Sequence, residues 1–216
     1  MPTAKYRLAD GTPVPGVTTV LGVLNKPALV AWANRLGLQG IDSTKYVDSK
    51  ARIGTLAHYI VEAYLKGEKA DYGGYTAVEI DQAENSALSY FEWERGHAVK
   101  PILCEAPLVS QIYAFGGTPD CLADVDGVLT LLDFKTGKAI YDEYGHQVAA
   151  YDQLFRENGH EPKDHMILRI GREEDEGFEV RHIAHVDTHW QVFQHALAIY
   201  ELQRELKWNG QRTSPA

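Results

Sequence analysis

Apolar residues recur at helical spacing through most of the first hundred positions, then switch to alternation beyond Pro101. Residues 6–24 carry two β-like runs, with Gly11, Pro13, Pro15 and Gly16 as turn residues between them. Asn25-Lys26-Pro27 then reads as a cap and first-turn proline, followed by Ala28, Leu29, Ala31, Trp32 and Leu36 at helical spacing and Gly37 as a stop. A second helix is predicted over about 43–66, where Ile53, Leu56, Ala57, Ile60, Val61 and Tyr64 form an apolar stripe, and a third over about 76–97.

Past Pro101 three strands are predicted, at 102–110, 114–125 and 128–135, with Asp126-Gly127 as the strongest turn signal in the chain. If Asp126-Gly127 is a two-residue loop, Val125 pairs with Val128, partners sum to 253 in residue number, and Asp120 falls opposite Asp133. Side chains alternate across a strand, so Asp133 and Lys135 share one face while Leu132 and Phe134 share the other. A helix is expected over about 142–158, strands near 166–171 and 178–186, and a last helix over about 188–208. This order predicts an α/β fold: a central mixed sheet flanked by helices, with a mostly helical N-terminal region. The expectation is one domain over 1–216, mainly helical over 1–100, with the sheet core and C-terminal helices over 101–210 and a short polar tail after Trp208.

Composition changes this picture little. Hydrophobic residues at 44% and charged residues at 24% are ordinary globular proportions. The 21 Lys+Arg against 30 Asp+Glu leave a net charge of −9, which argues against gripping nucleic acid by bulk electrostatics but not against a local groove. Cys104 and Cys121 are too few for a four-thiolate zinc or iron–sulfur site. No signal-peptide pattern and no run of about 18 apolar residues is present, so a cytoplasmic protein without a membrane role is expected.

The candidate chemistry lies at the hairpin. Two opposed carboxylates resist joint ionisation unless a cation sits between them. Hard divalent ions such as Mg²⁺ take carboxylate, phosphate and water oxygens, and a lysine beside them can neutralise charge on a phosphate or orient a water. Asp120, Asp133 and Lys135 therefore read as a site for phosphodiester hydrolysis. An incidental charged pair on a solvent-facing hairpin is the ordinary structural alternative, because Asp-x-Lys alone is a short match.

Gly117-Thr118-Pro119-Asp120, then Leu131-Leu132-Asp133-Phe134-Lys135-Thr136-Gly137, then Gln147-Val148-Ala149-Ala150-Tyr151 together resemble the PD-(D/E)XK nuclease superfamily, more narrowly its RecB-type and phage exonuclease branch with a QxxxY helix. Gly54-Thr55-Leu56-Ala57-His58 is similar to that branch's GxxxH helix, Glu105 stands where its strand glutamate would be, and Val17-Thr18-Thr19-Val20-Leu21 with Lys26-Pro27-Ala28-Leu29 is similar to the start of phage members. The resemblance covers roughly residues 15–155 and implies a restriction-endonuclease-like core. It implies Mg²⁺ (Mn²⁺ substituting) held by Asp120, Asp133 and the Phe134 carbonyl, with His58 as an additional ligand or site wall. Lys135 would act on the attacking water, and Gln147 and Tyr151 would face nucleic acid or brace the site. Relatives with an iron–sulfur cluster use four cysteines, so that cofactor is not implied here.

The residues alone leave alternatives. His58 and Glu62, four apart on a helix, read as a half-buried histidine paired with a glutamate. Glu105 falls opposite Asp120 if the first two strands turn about Ile112-Tyr113 with partners summing to 225, a register that also sets Cys104 beside Cys121 as two small buried residues. Gln147 and Tyr151 lie on a helix whose Val148, Tyr151 and Phe155 stripe needs no ligand. Lys138, Arg169 and Arg172 are basic residues within reach of a phosphate, though scattered surface cations are usually solvated.

The expected function is a metal-dependent deoxyribonuclease, an exonuclease of phage or bacterial recombination or repair, acting on DNA in the cytoplasm with a single-strand annealing recombination protein as partner. The competing expectations are a non-catalytic nucleic-acid-binding or assembly module of the same fold, and a metal-dependent hydrolase of small phosphate esters, which would need a closed pocket.

Overall fold

The computed structural model describes residues 6–24, 26–173 and 176–212. Four helices come first: α1 (Val17–Leu21), α2 (Pro27–Leu38), α3 (Ser43–Leu65) and α4 (Ala77–Glu94). Five strands follow, β1 (Val99–Cys104), β2 (Leu108–Ser110), β3 (Phe115–Gly117), β4 (Cys121–Val125) and β5 (Val128–Lys135). The chain ends with α5 (Tyr144–Glu157), β6 (Asp164–Ile170), β7 (Phe178–His182) and α6 (Val186–Arg212).

Local chemistry explains several boundaries. Pro27 opens α2, as expected, while the cap expected at Asn25 lies outside the described residues. The Asp42 carboxylate accepts from the Thr44 and Lys45 amides at the start of α3, and Thr76 with Glu79 forms a reciprocal capping box at the start of α4. Three expectations are corrected. The Val17–Leu21 run is a helix, because Val17 and Val20, three apart, are both buried and their packing outweighs β propensity. The other N-terminal run makes only isolated bridges, Arg7 to Pro13 and Gly16 to Gly116. The last helix continues to Arg212, four residues past Trp208, and starts at Val186, which shortens the preceding strand to His182.

A mixed sheet runs in the order β1-β4-β5-β6-β7, with β5 and β6 parallel and the other neighbours antiparallel; β2 and β3 form a separate ribbon. The β4–β5 register runs from Val125↔Val128 to Cys121↔Leu132, as the Asp126-Gly127 loop predicts, with both turn residues at positive φ. The other register also holds: Cys104 pairs with Cys121, Val109 with Gly116 and Ser110 with Phe115. The two long strands expected on either side of it do not. Each breaks in two, at Glu105–Pro107 and Thr118–Asp120. Pro107 and Pro119 have no amide to donate, and Glu105 takes φ of 51°, so the ladder opens there.

Alternation along the strands feeds two cores. Leu122, Leu131 and Ile167 pack under α1, α5 and α6 with Val148, Leu154, Phe155 and Phe193. Cys121, Ala123, Leu132, Phe134 and Leu168 pack under α3 and α4 with Leu56, Ile60, Ala87 and Tyr90. The result is helices on both faces of one sheet, the expected α/β class. The opened ladder lies at the edge where the two layers meet.

Candidate active site

Three polypeptide segments converge where β1 and β4 break. From β5, Asp133 and Lys135 point to the α5 side, their neighbours Leu132 and Phe134 to the α3 side. Asp120 occupies the position just before β4, one step beyond the Cys121↔Leu132 pair. There it accepts the Phe134 amide on Oδ2 at 2.6 Å, which pins one oxygen and leaves Oδ1 facing His58 Nδ1 at 3.3 Å. Across the break the Glu105 amide donates to the Asp120 carbonyl at 3.0 Å.

His58 is delivered by α3, one turn beyond Gly54. A Cβ on Gly54 would lie 2.7 Å from Thr136 Oγ1, so the missing side chain lets α3 lie against the end of β5. The expected His58–Glu62 pair does not form. Glu62 instead receives Lys66 Nζ at 2.6 Å, a helix pair on the Glu105 side, and His58 is left to Asp120.

His58, Glu105 and Asp120 each offer a ligand atom within 4.8 Å of the other two, a group able to hold a metal ion. Asp133 stands outside that trio, yet it is fully buried and its Oδ1 has no hydrogen-bond partner among the described residues. Lys135 Nζ lies 2.5 Å from Asp133 Oδ2 as an ion pair. A buried carboxylate with a free oxygen, beside a second carboxylate and an imidazole, offers the kind of donors that hard divalent cations take.

The electrostatics agree. Burial, reinforced by Asp120, pushes Asp133 up to about 6 against the pull of Lys135. Burial and the neighbouring Asp120 likewise push Glu105 up to about 8. Burial opposes ionisation of Asp120 too, but His58, Lys135 and the Phe134 amide outweigh it and hold that carboxyl below its ordinary range. Burial also disfavours the charged forms of His58 and Lys135; the carboxylates beside them win, and both are shifted upward. Lys135 is therefore an ammonium, suited to donate hydrogen bonds and unsuited to accept a proton.

On α5, Gln147 Nε2 donates to the Tyr151 hydroxyl at 3.0 Å, and Tyr151 is buried with its ring in the core. The ring packs in the core, as the apolar stripe predicts, and its hydroxyl is tied to Gln147. Tyr144, not singled out from the sequence, holds its ring 5.1 Å from Lys135 Nζ. Its signal was available, since Tyr144, Gln147 and Tyr151 stand at i, i+3 and i+7 of one helix. Arg169 and Arg172 are buried and bonded to Glu179 and Glu176, so they are not free for a phosphate; Lys138 remains exposed. Cys104 and Cys121 are free thiols facing each other across β1 and β4, Cys121 buried and Cys104 half-buried.

No family model matches the chain, and no curated protein matches it. Among solved structures it is similar to a Eubacterium rectale protein provisionally assigned as an exonuclease, at 15% identity and a TM-score of 0.48, covering 77% of this chain and 70% of that one. It is also similar to the alkaline exonuclease LHK-Exo of Laribacter hongkongensis, at 14% identity and a TM-score of 0.36, covering 76% of this chain and 89% of that one. The same exonuclease in complex with dAMP matches at 14% identity and a TM-score of 0.36, over 76% of this chain and 90% of that one. No helix among the described residues is long and apolar enough to cross a membrane.

Proposed function

We propose that the chain is a divalent-metal-dependent deoxyribonuclease of the PD-(D/E)XK type, an exonuclease of phage or bacterial recombination or repair. The observation that carries this reading is Asp133, a fully buried carboxylate that pairs through Oδ2 with Lys135, keeps Oδ1 without a partner among the described residues, and stands beside Asp120. One ammonium does not offset two neighbouring carboxylates, and a divalent cation would satisfy the free oxygen and the remaining charge.

In this reading Asp120, Asp133 and the Phe134 carbonyl would hold Mg²⁺, with Mn²⁺ substituting, and His58 and Glu105 would complete or wall the site. Bound there, the ion would polarise the phosphodiester and lower the pKa of a water. Lys135 orients the attacking water and offsets charge on the phosphate, because its ammonium is fixed by Asp133 on one side and by the Tyr144 ring on another. The water oxygen forms a bond to phosphorus as the bond to the leaving sugar oxygen breaks, and no covalent enzyme intermediate arises. Gln147 and the Tyr151 hydroxyl face the substrate strand, each holding the other in place. A single-strand annealing recombination protein would be the natural partner.

The test is incubation with labelled linear, circular and single-stranded DNA in Mg²⁺, Mn²⁺ or EDTA. The expected result is metal-dependent loss of linear DNA faster than of closed circles. Equal attack on both would indicate an endonuclease, and binding without cleavage in either metal would replace this reading with a non-catalytic module.

A further inference from the structure

Beside the carboxylate cluster lies a cavity of about 280 Å³ that the chemistry above does not use, lined by Tyr6, Arg7, Thr18, Thr19, Gly117 and Tyr151 among others. It shares Tyr151 with the site. That ring packs so closely on β3 that a Cβ on Gly117 would fall 2.7 Å from it, while the hydroxyl is held by Gln147. The opposite wall is Tyr6, whose ring lies on Gly116 so tightly that any Cβ there would collide with it. Its hydroxyl is 3.0 Å from Thr118 Oγ1, two residues before Asp120. Gly117 and two tyrosines thus line a slot, and one of those tyrosines, Tyr151, lies within the electrostatic reach of Asp120 and Asp133.

The rim is polar. Thr18 and Thr19 are exposed on α1. Arg7 spends one N–H on the Gly11 carbonyl at 2.7 Å and pairs with no acid among the described residues. A volume just short of the roughly 300–1,000 Å³ of drug-sized pockets limits the occupant to about one ring system. Aromatic walls suit the face of a base, hydroxyls its edge, and a free guanidinium at the mouth a phosphate.

We propose that this cavity seats the unpaired base of a nucleotide next to the bond that is cut, with Arg7 on a neighbouring phosphate. The choice of ligand rests on the nuclease reading. A base in this slot has left its stack and its partner, so the substrate reaches the carboxylates as a single strand or a frayed end.

The experiment is titration of a single-stranded oligonucleotide carrying 2-aminopurine near one end, in Ca²⁺ in place of Mg²⁺, read by fluorescence. Wild type should give a saturable change in emission, and the blunt duplex of the same sequence should bind at least about tenfold more weakly. Thr19→Trp, which fills the cavity from an exposed helix position, should lower affinity about tenfold with an unchanged melting temperature. Arg7→Gln should flatten the salt dependence of binding by about one unit of log–log slope. No emission change at any labelled position, or wild-type affinity in Thr19→Trp, overturns the proposal. A protein that cleaves DNA in Mg²⁺ yet leaves 2-aminopurine unaltered refutes the pocket alone. One that binds the base but never cleaves upholds the pocket and defeats the nuclease reading.

Discussion

Replacing Gly54 by alanine tests how the helix that carries His58 is placed. The new Cβ would lie 2.7 Å from Thr136 Oγ1 and 3.9 Å from Thr136 Cβ, with nothing else inside 4 Å, so one hydroxyl is the whole obstruction. Overpacking of this kind costs about 1–3 kcal/mol, and an interior Gly→Ala change returns about 1 kcal/mol of helix propensity. The net loss of stability should therefore lie between nothing and about 2 kcal/mol, small for a chain of this size. Function should suffer more. His58 sits one turn further along α3, and relief of the contact moves its imidazole relative to Asp120 Oδ1, 3.3 Å away. Loss of such support typically weakens metal affinity about 10–100-fold. Thr136→Ala in the same chain removes the hydroxyl and leaves only the ordinary 3.9 Å contact, so the double variant should recover both affinity and stability. Mn²⁺ calorimetry and urea unfolding measure the two quantities. Unchanged affinity in Gly54→Ala, or no recovery in the double variant, would refute the reasoning.

Other substitutions separate roles around the same cluster. Lys135→Ala should leave a filled metal site but lower turnover at least about 100-fold in a single-turnover cleavage assay, and near-normal turnover would return that lysine to an ordinary charged strand face. Tyr151→Phe keeps the buried ring and removes the acceptor of Gln147; activity should fall while stability by thermal melt changes by about 1 kcal/mol or less, and unchanged activity would remove the hydroxyl from the site. Away from the site, Asp152 accepts from His165 at 2.8 Å and Arg156 at 2.6 Å, and although burial opposes its ionisation these partners hold it below its ordinary 3.8. A depressed carboxyl adds stability above that ordinary value, and the contribution is lost as pH falls through it toward the folded value. Urea unfolding of wild type should therefore weaken from about pH 4 downward, and Asp152→Asn should lose that part of the slope.

The sheet and most helices were legible because their signals are local. Asp126-Gly127 defines a turn, the turn defines the 253 register, and the register carries Asp120 to the side of Asp133. The Cys104↔Cys121 pairing follows the same way from a turn about Ile112-Tyr113, despite poor turn chemistry there. What alternation could not show was that both strands open at Glu105–Pro107 and Thr118–Asp120, where two prolines and a positive φ break the ladder and make room for the site. His58 was misjoined to Glu62 because i,i+4 spacing is visible in one dimension and the approach of Asp120 is not. The helical fate of Val17–Leu21 depends on a core contributed by α5 and α6, far along the chain. Arg169 and Arg172 look like surface cations until β7 and the turn before it cover them.

The claim on which everything else depends is that the buried carboxylate of Asp133, whose close partner is Lys135 and whose Oδ1 has no partner among the described residues, exists to hold a divalent cation. Mn²⁺ titration calorimetry on wild type and Asp133→Ala tests it most directly, since it needs no substrate and no turnover. The account predicts saturable binding in wild type and at least about a tenfold loss of affinity in Asp133→Ala, with the fold retained by circular dichroism. Undiminished affinity in Asp133→Ala would contradict it.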